Sequence, residues 1–460
     1  MTQLVELVKR ARAAQKEVEF WDQEQVDEMV AAAGWETIRQ ENAEAVARLA
    51  VDETRMGIYE HKLLKHQKKT LGTLRDLLGV RTAGVIEDDP VKGLIKIAKP
   101  VGVIGALTPV TNATSTVAVK AVNALKTRNA IIFAPHPRAK KCAHLTCEHL
   151  REGLRKVGAP TDLILNIEEP SIELSQELLR VTDLVVATGG GAMVKAAYSS
   201  GTPAYGVGAG NAVVIVDETA DLAAAAEKIY LGKTFDHATS CSSENSAVIQ
   251  ESIFDQMVDN FEKHGGYLCS AEEKARLLNV MWPDGVHLNK DIVAQSAKKI
   301  ATMAQLNVPE DVTFLMVVSE KVGREDMFSS EKLSPVLTLW KYQSFEDAID
   351  YVQRITGFVG YGHSCGIHTT NPERIFSLGE RVHASRIMVN QPQAYGNSGN
   401  YDNGMPFTLT LGCGSWGGNI TTENITWKHM VNVTWVSKPI LPVLPNEEAI
   451  FGSYWAKYGK

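Results

Sequence analysis

The chain has 460 residues, of which 44% are hydrophobic and 22% are charged, and its formal net charge is −7. This length corresponds to two or three domains of about 150 residues each, and the composition is that of a globular protein with a large core. The acidic balance argues against a general nucleic-acid binder, because phosphate binding needs a basic surface.

The cysteines and the N-terminus narrow the class of protein further. The six cysteines include no C-x-x-C pair, which argues against metal-ribbon and redox motifs, and six in a chain this long do not make a disulfide scaffold. Residues 1–15 follow an amphipathic helix pattern with interleaved charges, unlike a signal peptide. No window approaches the roughly 18 uninterrupted apolar residues of a membrane span. We therefore expect a cytoplasmic protein with no membrane or nucleic-acid partner.

The first half of the chain predicts helices followed by alternating strands and helices. Residues 1–85 are typical of helices, and residues 93–98 and 101–107 of strands. Beyond them lie predicted strands at 129–134, 163–167 and 184–188 and predicted helices at 139–157 and 171–181. This alternation predicts a parallel sheet covered on both faces, with ligands beyond the carboxyl ends of the strands. We assign residues 1–231 to a cofactor-binding domain.

A second α/β unit is predicted to follow. Residues 213–231 supply the last strand and helix of the first domain in this interpretation. The second domain spans residues 232–425 and includes predicted strands at 314–318 and 386–390. Residues 426–460 form a separate C-terminal segment. The chain is therefore predicted to be an α/β protein with two main domains.

Cys241 is the candidate nucleophile, because it lies between small residues just before the apolar segment 247–249. The small neighbours leave room for a substrate carbon to reach the sulfur. The thiolate is the reactive form of cysteine, and covalent attack by it divides one difficult transfer into two easier steps. Free cysteines are also common as buried apolar residues, so local sequence alone leaves that alternative open.

Asn112 is a candidate for stabilising negative charge in a transition state. It follows a predicted buried strand and precedes a predicted helix. A side-chain amide aimed at a developing oxyanion is worth about 100- to 1000-fold in rate. Asn is also a good helix N-cap, and the two roles are compatible.

Two loops at predicted strand ends are candidates for nucleotide binding. The loop at residues 135–141 carries basic residues that could meet a ribose or phosphate, or it could be a strand end with a solvated helix start. Residues 189–191 are three glycines between a strand and a helix, where backbone can approach a pyrophosphate, although they do not match G-x-G-x-x-G. The glycines at 206–210 precede a strand, which indicates close packing beside the nucleophile instead.

His363 lies between small residues in a predicted loop. It could act as a general base for an incoming thiol, or it could be a structural histidine. Cys365 is most simply a core residue. The glycine-rich segment around Trp416 indicates unusual backbone torsions and close approach.

Four stretches carry a resemblance to a known family: KPVGVIGALTPVTNATST, LKTRNAIIFAPHPRAKK, SCSSENSAV and LTLGCGSWGGN. As an ordered set, they resemble the CoA-acylating branch of the aldehyde dehydrogenase superfamily. That branch includes the acetaldehyde dehydrogenase half of bifunctional aldehyde–alcohol dehydrogenases, CoA-dependent succinate semialdehyde dehydrogenases and sulfoacetaldehyde dehydrogenases. The resemblance implies a Rossmann-type cofactor domain, an α/β catalytic domain and a small oligomerisation arm. It also implies NAD or NADP as cofactor, coenzyme A as co-substrate, and a homodimer or homotetramer.

The resemblance also implies roles for individual residues. Cys241 would be the nucleophile, and Asn112 with the Cys241 backbone N–H would form the oxyanion hole. Glu331, in a Glu-x-x-x-Pro-Val stretch that ends with Pro335 and a valine, would hold the nicotinamide ribose. Apart from the resemblance, the local motif makes His363 a candidate to assist deprotonation of the CoA thiol. The other residues expected at the cofactor are Thr108, Pro109, His136, Pro137, Arg138, Lys141, Gly189, Gly190, Gly191 and Gly208.

One departure from the hydrolytic branch predicts the acyl acceptor. Those enzymes place a glutamate in Glu-Leu-Gly-Gly to activate the water that cleaves the thioester. The equivalent run here, residues 207–210, is Val-Gly-Ala-Gly and has no carboxylate. Without a positioned base, attack by water is slow, so the thioester survives until another thiol arrives. The sequence therefore favours CoA as the acceptor.

The substrate and the cofactor are less sharply predicted. Arg386 and Gln391 could donate to an anionic tail, which favours a small anionic aldehyde. We expect sulfoacetaldehyde first and succinate semialdehyde next, with acetaldehyde or another short aldehyde as the alternative. Positive charge at Arg138, Lys140 and Lys141 suits a 2′-phosphate and favours NADP over NAD.

Two other classes of protein are compatible with a reactive cysteine. One is a cysteine acyltransferase or hydrolase that never uses a nicotinamide, and the other is a non-catalytic binding scaffold. Tight binding of NAD or NADP would count against the first. A Cys241 that resists alkylation would favour the second.

Overall fold

The computed structural model describes residues 3–460, so residues 1–2 of the predicted first helix lie outside the described part. The helices are α1 (Gln3–Val18), α2 (Gln23–Ile38), α3 (Gln40–Thr54), α4 (Tyr59–Leu77), α5 (Ala113–Lys126), α6 (Lys140–Lys156), α7 (Ile172–Val181), α8 (Gly191–Tyr198), α9 (Leu222–Thr234), α10 (Phe254–Glu262), α11 (Ala271–Met281), α12 (Ala297–Met303), α13 (Phe345–Phe358), α14 (Pro372–Arg381), α15 (Gln393–Gly396) and α16 (Glu447–Tyr458). The strands are β1 (Gly84–Asp89), β2 (Leu94–Pro100), β3 (Val103–Thr108), β4 (Ala130–Pro135), β5 (Ile164–Asn166), β6 (Leu184–Thr188), β7 (Ala204–Val207), β8 (Ala212–Val216), β9 (Glu244–Gln250), β10 (Gly266–Leu268), β11 (Phe314–Val318), β12 (Val336–Tyr342), β13 (Cys365–His368), β14 (Ile387–Val389) and β15 (Val431–Ser437).

The strands form three sheets. A five-stranded sheet has the order β5-β4-β3-β6-β7, and a seven-stranded sheet has the order β10-β11-β12-β9-β8-β13-β14. Every strand pair in these two sheets is parallel. A third, antiparallel sheet has the order β1-β2-β15. The predicted α/β class is confirmed.

The five-stranded sheet brings three loops to one edge. Its central strands β3 and β4 are buried along their whole length, and α1, α5 and α7 all contact them. The neighbours β4, β3 and β6 are parallel, so their carboxyl ends at Pro135, Thr108 and Thr188 lie side by side. Loops that follow adjacent parallel strands in this way form the usual ligand crevice of an open α/β sheet.

The seven-stranded sheet begins earlier in the chain than the sequence pattern predicts. Strand β8 pairs with β9 and β13, and α9 packs against β9, so both belong to the larger sheet. A boundary at residue 231 assigns them to the cofactor-binding domain. Alternating strands and helices look the same in both sheets, so the sequence pattern cannot show which sheet a strand joins. We propose a boundary between β7 and β8 instead.

The third sheet joins distant parts of the chain. Strands β1 and β2 form a hairpin, and β15 pairs with β2 over seven residues. Strand β15 therefore lies within the predicted C-terminal segment of residues 426–460. Beyond it, residues 439–460 are largely exposed and include the apolar residues Leu441 and Leu444. No helix within residues 3–460 combines the length and apolar character needed to cross a membrane.

Helix α4 carries an unusual buried face. Lys62, Lys65 and Lys69 lie on one side of it at helical spacing, and each is at most 5% exposed. His66, on the same helix, is fully buried, and its Nε2 lies 2.8 Å from the carbonyl oxygen of Thr37. Burial lowers the pKa of His66 to about 4, so the folded protein holds this ring in its neutral form.

Stability should therefore depend on pH through His66. Its pKa is depressed by folding, so its contribution is complete above the ordinary value of 6.5 and is lost as the pH falls toward about 4. In that window the unfolded chain takes up a proton that the folded chain excludes. The expected loss is about 1.4 kcal/mol in the free energy of unfolding for each pH unit.

Urea unfolding of the wild type and of His66→Gln between pH 7 and pH 5 measures this contribution. Other groups titrate in both proteins, so only the difference between the two is used. We expect the variant to be less stable at pH 7 and the difference to shrink by about 2 kcal/mol at pH 5. A difference that stays constant with pH would show that His66 accepts a proton in the folded state.

Candidate active site

Cys241 lies in a tight turn between α9 and β9. The backbone N–H of Ser243 donates to the carbonyl of Ser240 at 3.0 Å, and β9 begins at the next residue. Gly210 packs directly against the nucleophile, since a Cβ there would lie 1.9 Å from the Cys241 carbonyl oxygen. The close packing expected of the glycines at 206–210 is therefore confirmed at Gly210.

The segment before the nucleophile has a strained backbone. Asp236, His237 and Ala238 have positive φ angles of 52°, 52° and 59°. Each such residue costs about 1–3 kcal/mol unless the surroundings hold it in place. The Asp236 carboxylate supplies that restraint, because it accepts from the backbone N–H of Ile58 at 2.9 Å and pairs with Lys62 at 2.8 Å. Residues at the start of α4 therefore hold the backbone conformation that presents Cys241.

A cleft of about 230 Å³ lies in front of Cys241, at the carboxyl edge of the five-stranded sheet. Nine of the predicted site residues line it: Thr108, Pro109, Asn112, His136, Gly189, Gly190, Gly208, Cys241 and Glu331. Its wall combines strand ends and loops of the five-stranded sheet with the loops that carry Cys241 and Glu331 beside the seven-stranded sheet. The structure therefore brings most of the predicted site together in one place.

His363 lies against the nucleophile. Its Nε2 is 3.1 Å from the Cys241 sulfur, and its Nδ1 is 2.8 Å from the Ser364 hydroxyl oxygen. Burial, together with the nearby positive charge of Arg386, lowers the pKa of His363 to about 3. A neutral ring with its proton on Nδ1, donating to Ser364, leaves the Nε2 lone pair facing the thiol. The geometry places Nε2 to accept the thiol proton, although the low pKa makes the ring a weak base at rest.

The thiol itself is held in its protonated form. Burial and then the Glu331 carboxylate raise the pKa of Cys241 to about 12, although Arg386 and the residue's own backbone N–H act in the opposite direction. The resting site is therefore a neutral thiol–imidazole pair. Attack on a substrate requires transfer of the thiol proton, and His363 is placed to accept it.

Asn112 occupies the N-cap position of α5, but its side chain makes no cap hydrogen bond. Its Oδ1 accepts from Lys65 Nζ at 2.6 Å, and its Nδ2 lies 3.3 Å from the Thr239 carbonyl oxygen. The side chain is thus turned away from the helix and toward the turn that carries Cys241. Of the two roles considered from the sequence, this geometry favours the oxyanion hole.

A second cavity of about 420 Å³ adjoins the cleft through His136. Apolar residues dominate its wall, including Pro137, Ile172 and Leu179, which suits a flat heterocyclic ring. At the glycine loop, the Cβ positions of Gly190 and Gly191 are free of other atoms within 4 Å, so backbone is open to a ligand. The two cavities and this open backbone fit an extended dinucleotide such as NAD or NADP.

The predicted basic residues are mostly engaged within the protein. Arg138 donates to the Thr54 carbonyl at 3.0 Å, and Lys140 forms an ion pair with Glu169. The Lys141 backbone N–H donates to Glu53, and its side chain is exposed. These contacts weaken the charge argument for NADP.

Glu331 lines the cleft, where its Oε1 accepts from the Gly210 N–H at 3.2 Å. Burial raises the pKa of Glu331 to about 8, against the opposing effects of this N–H, Lys233 and Lys332. Pro335 does not line the cleft; its carbonyl accepts from the Leu315 N–H between two strands of the larger sheet.

The two residues predicted to bind the substrate require a correction. Arg386 is buried and donates to the His363 carbonyl at 2.9 Å and to the Gly412 carbonyl at 2.7 Å, so it braces the loops behind the site. The Gln391 Oε1 accepts from Asn403 at 2.7 Å. Neither side chain lines the cleft in front of Cys241, because both are committed to contacts within the protein.

Sequence reasoning missed Lys65 and Thr239, which surround Asn112. Lys65 Nζ contacts Asn112, the Thr239 hydroxyl at 2.8 Å and Asp236 at 2.5 Å. The signal available in the sequence was the spacing of the lysines at positions 62, 65 and 69, which places them on one helix face. A charged stripe of this kind is usually solvated, so the pattern alone does not indicate burial.

Comparison with known proteins agrees with this geometry. Residues 2–408 match the aldehyde dehydrogenase family. The chain belongs to the aldehyde dehydrogenase family. It is 51% identical over 98% of its length to sulfoacetaldehyde dehydrogenase of Acholeplasma sp, of which 94% is covered. It is 48% identical to acylating sulfoacetaldehyde dehydrogenase of Bilophila wadsworthia, with both chains fully covered.

Other relatives include acetylating succinate-semialdehyde dehydrogenase of Clostridium kluyveri, at 41% identity over 93% of this chain and 94% of the relative. Among solved structures, an acetylating aldehyde dehydrogenase of Geobacillus thermoglucosidasius has a TM-score of 0.93 at 37% identity, covering 96% of this chain and 98% of the other. Propionaldehyde dehydrogenase of Rhodopseudomonas palustris with bound propionyl-CoA has a TM-score of 0.86 at 27% identity, covering 95% and 94%. These relatives confirm the predicted fold and the resemblance to acylating aldehyde dehydrogenases.

Alkylation of Cys241 should report the neutral thiol–imidazole pair. We expect the rate with iodoacetamide to rise with pH throughout the range from 5 to 10, because the thiol pKa is raised to about 12. The other five cysteines are buried, so the modified peptide identifies Cys241 by mass spectrometry. A rate that instead reaches a plateau below pH 7 would indicate a thiolate–imidazolium pair.

Proposed function

We propose that this protein is a CoA-acylating aldehyde dehydrogenase acting on a small anionic aldehyde. The reaction converts the aldehyde, CoA and oxidised NAD or NADP into an acyl-CoA, the reduced nicotinamide and a proton, and it is reversible. The observation that carries the proposal is the contact of 3.1 Å between His363 Nε2 and the sulfur of Cys241, a residue that lines the same cleft as Asn112.

The first half of the reaction forms a thioester on Cys241. The sulfur adds to the aldehyde carbon while His363 Nε2 accepts the thiol proton. The carbonyl oxygen becomes an oxyanion, which Asn112 Nδ2 and the Cys241 backbone N–H stabilise. The bound nicotinamide supplies the acceptor for the hydride that leaves this carbon. The oxyanion then returns to a carbonyl, and the proton passes from His363 to solvent.

The second half transfers the acyl group to CoA. His363 Nε2, free of its proton, accepts the proton of the CoA thiol. The CoA sulfur adds to the thioester carbonyl, and the same oxyanion hole stabilises the second tetrahedral species. Its collapse expels the Cys241 sulfur, which regains a proton from His363. The site returns to its starting state with the acyl group on CoA.

The environment of the thioester favours a thiol over water. Gly208 lines the cleft within the run at residues 207–210 that lacks a carboxylate. Among the residues found along the cleft wall, Glu331 is the one acid, and its raised pKa of about 8 keeps most of it protonated at neutral pH. A protonated acid cannot activate water, whereas thioester exchange with a thiol is nearly isoenergetic and needs little assistance.

Sulfoacetaldehyde is our first choice of substrate, with succinate semialdehyde next and acetaldehyde as the alternative. The support comes from the two sulfoacetaldehyde enzymes at 51% and 48% identity. The buried cations Lys62 and Lys65 outnumber their partner Asp236, so the region beside Asn112 carries net positive charge that favours an anionic tail. NAD and NADP both fit the two cavities.

The absorbance of reduced nicotinamide tests this proposal directly. The purified protein is mixed with NAD or NADP and with sulfoacetaldehyde, succinate semialdehyde or acetaldehyde, each with and without CoA. We expect sustained turnover only with CoA, fastest with sulfoacetaldehyde, and Cys241→Ala should abolish it while retaining nicotinamide binding. Equal turnover without CoA would make water the acceptor, and no signal in any mixture would favour a nicotinamide-independent acyltransferase.

We also propose that the C-terminal arm, residues 431–460, forms a homodimer or homotetramer. Strand β15 lies at the edge of its sheet, and Trp435, Leu441 and Leu444 are 58%, 87% and 82% exposed. An exposed strand edge beside exposed apolar residues is typical of an interaction surface.

Light scattering of the full chain and of a variant ending at residue 438 tests this arm. We expect the full chain to be an oligomer. The truncated variant should contain fewer subunits per particle, because it lacks the apolar tail. A full chain that is monomeric, or a truncated variant of unchanged assembly, would contradict the assignment.

A further inference from the structure

The group that holds the oxyanion-hole amide is a buried lysine from a distant helix. Lys65 Nζ lies 2.6 Å from Asn112 Oδ1, 2.8 Å from Thr239 Oγ1 and 2.5 Å from Asp236 Oδ2. The side chain of Lys65 is 4% exposed, so these three groups replace its water. Its ammonium has three N–H donors, and each has one partner.

This contact fixes which end of the Asn112 amide faces the substrate. An ammonium group only donates, so the amide oxygen must face Lys65 and the nitrogen must face away from it. On that opposite side, Nδ2 has two contacts at the long end of the hydrogen-bond range, 3.3 Å to the Thr239 carbonyl and 3.4 Å to the Thr111 hydroxyl. The nitrogen is therefore oriented toward the nucleophile's turn, and its existing bonds are weak enough to give way to an oxyanion.

The contact also strengthens the amide as a donor. A hydrogen bond from a cation to the amide oxygen draws electron density toward that oxygen and leaves the N–H protons more positive. The effect is large here because water is excluded. Burial lowers the pKa of Lys65 to about 8, with Asp236 opposing the shift, so the ammonium remains mostly charged at neutral pH.

We propose that Lys65 is a positioning residue for the oxyanion hole: it orients and polarises Asn112, and so accelerates formation of the thioester on Cys241. The inference rests on the proposed function, because it concerns the oxyanion of that reaction. Lys65 does not touch the reacting atoms. Its effect on the oxyanion passes through Asn112, and its separate contact with Asp236 helps to hold the segment before Cys241.

The neighbouring Lys62 provides a matched control. Its Nζ pairs with the same Asp236 oxygen at 2.8 Å and donates to the Thr111 carbonyl at 2.6 Å, but Asn112 accepts its hydrogen bond from Lys65. Lys62→Met and Lys65→Met each remove one buried cation beside Asp236. Only Lys65→Met removes the contact with the amide. A difference between the two variants therefore isolates the effect on Asn112.

The measurement is the rate of the first turnover, seen as formation of reduced nicotinamide after mixing enzyme, cofactor and aldehyde without CoA. We expect Lys65→Met to slow this step about 10- to 100-fold, part of the cost of losing the whole donor. The KM for CoA and the affinity for the cofactor should be unchanged. Lys62→Met is the reference for the loss of one cation beside Asp236, and Lys65→Met should be at least about fivefold slower than this reference. Equal loss in the two variants would mean that both simply disturb Asp236, which would overturn the proposal.

A double-mutant cycle with Asn112→Ala decides whether Lys65 acts through the amide. In that background the amide is absent, so adding Lys65→Met should slow the first turnover by less than about threefold more. A second loss of the full 10- to 100-fold would show that Lys65 acts elsewhere. Lys65→Gln, which keeps an uncharged donor, replaces Lys65→Met in the cycle if the latter does not give a cooperative thermal transition.

The activity of the wild-type enzyme distinguishes a failure of this proposal from a failure of the proposed function. A wild type that forms no reduced nicotinamide with any aldehyde would refute the proposed function. A wild type that turns over, combined with a Lys65→Met variant of unchanged first-turnover rate, would refute the role of Lys65 alone.

Discussion

The buried charge cluster around Asp236 is the constraint on which the active site depends. Burial alone would raise the pKa of this carboxyl, but Lys62 and Lys65 outweigh burial and hold the pKa well below its ordinary value. Removing the Asp236 carboxylate would leave two buried cations without their partner, and breaking a buried pair in this way costs about 3–5 kcal/mol. This energy is comparable to the strain of the left-handed residues 236–238, so the cluster can hold the segment that presents Cys241. Because both cations come from α4, this N-terminal helix helps to hold the active site in its conformation.

The neutral state of Cys241 and His363 follows from the same exclusion of water. Charge separation between them would place a thiolate and an imidazolium in a region where burial disfavours both ions. The proton therefore moves only when the sulfur begins to bond to carbon, at which point negative charge passes to the aldehyde oxygen beside Asn112. Stabilisation is thus concentrated on the transition state rather than on a resting thiolate. A resting thiol is also less susceptible to oxidation, since the thiolate is the form that oxidants attack.

The sequence predicted those features that are local in the chain. Strands β6 and β11 have the predicted bounds, because each is a continuous apolar run ended by polar residues. Cys241 and Asn112 could be predicted as site residues, because small or polar residues beside such apolar runs mark the ends of strands. The partners of Asn112 could not be predicted in this way, since Lys65 and Thr239 are 47 and 127 positions away from it and meet it only in the folded chain. The sequence pattern does not predict strand β13, because Gly366 and His368 interrupt its apolar residues, although the larger sheet buries it completely.

The choice between water and CoA as the acyl acceptor depends on the protonation of Glu331 as well as on the absence of a glutamate from residues 207–210. A carboxylate does lie in the cleft, because Glu331 is part of its wall. Its environment raises the pKa to about 8, and its Oε1 is held by the Gly210 N–H. A base must be ionised and free to rotate toward water, and Glu331 meets neither condition at neutral pH. Residues 207–210 therefore contribute twice: the run has no carboxylate that could act as a base, and the Gly210 N–H restrains the acid that remains.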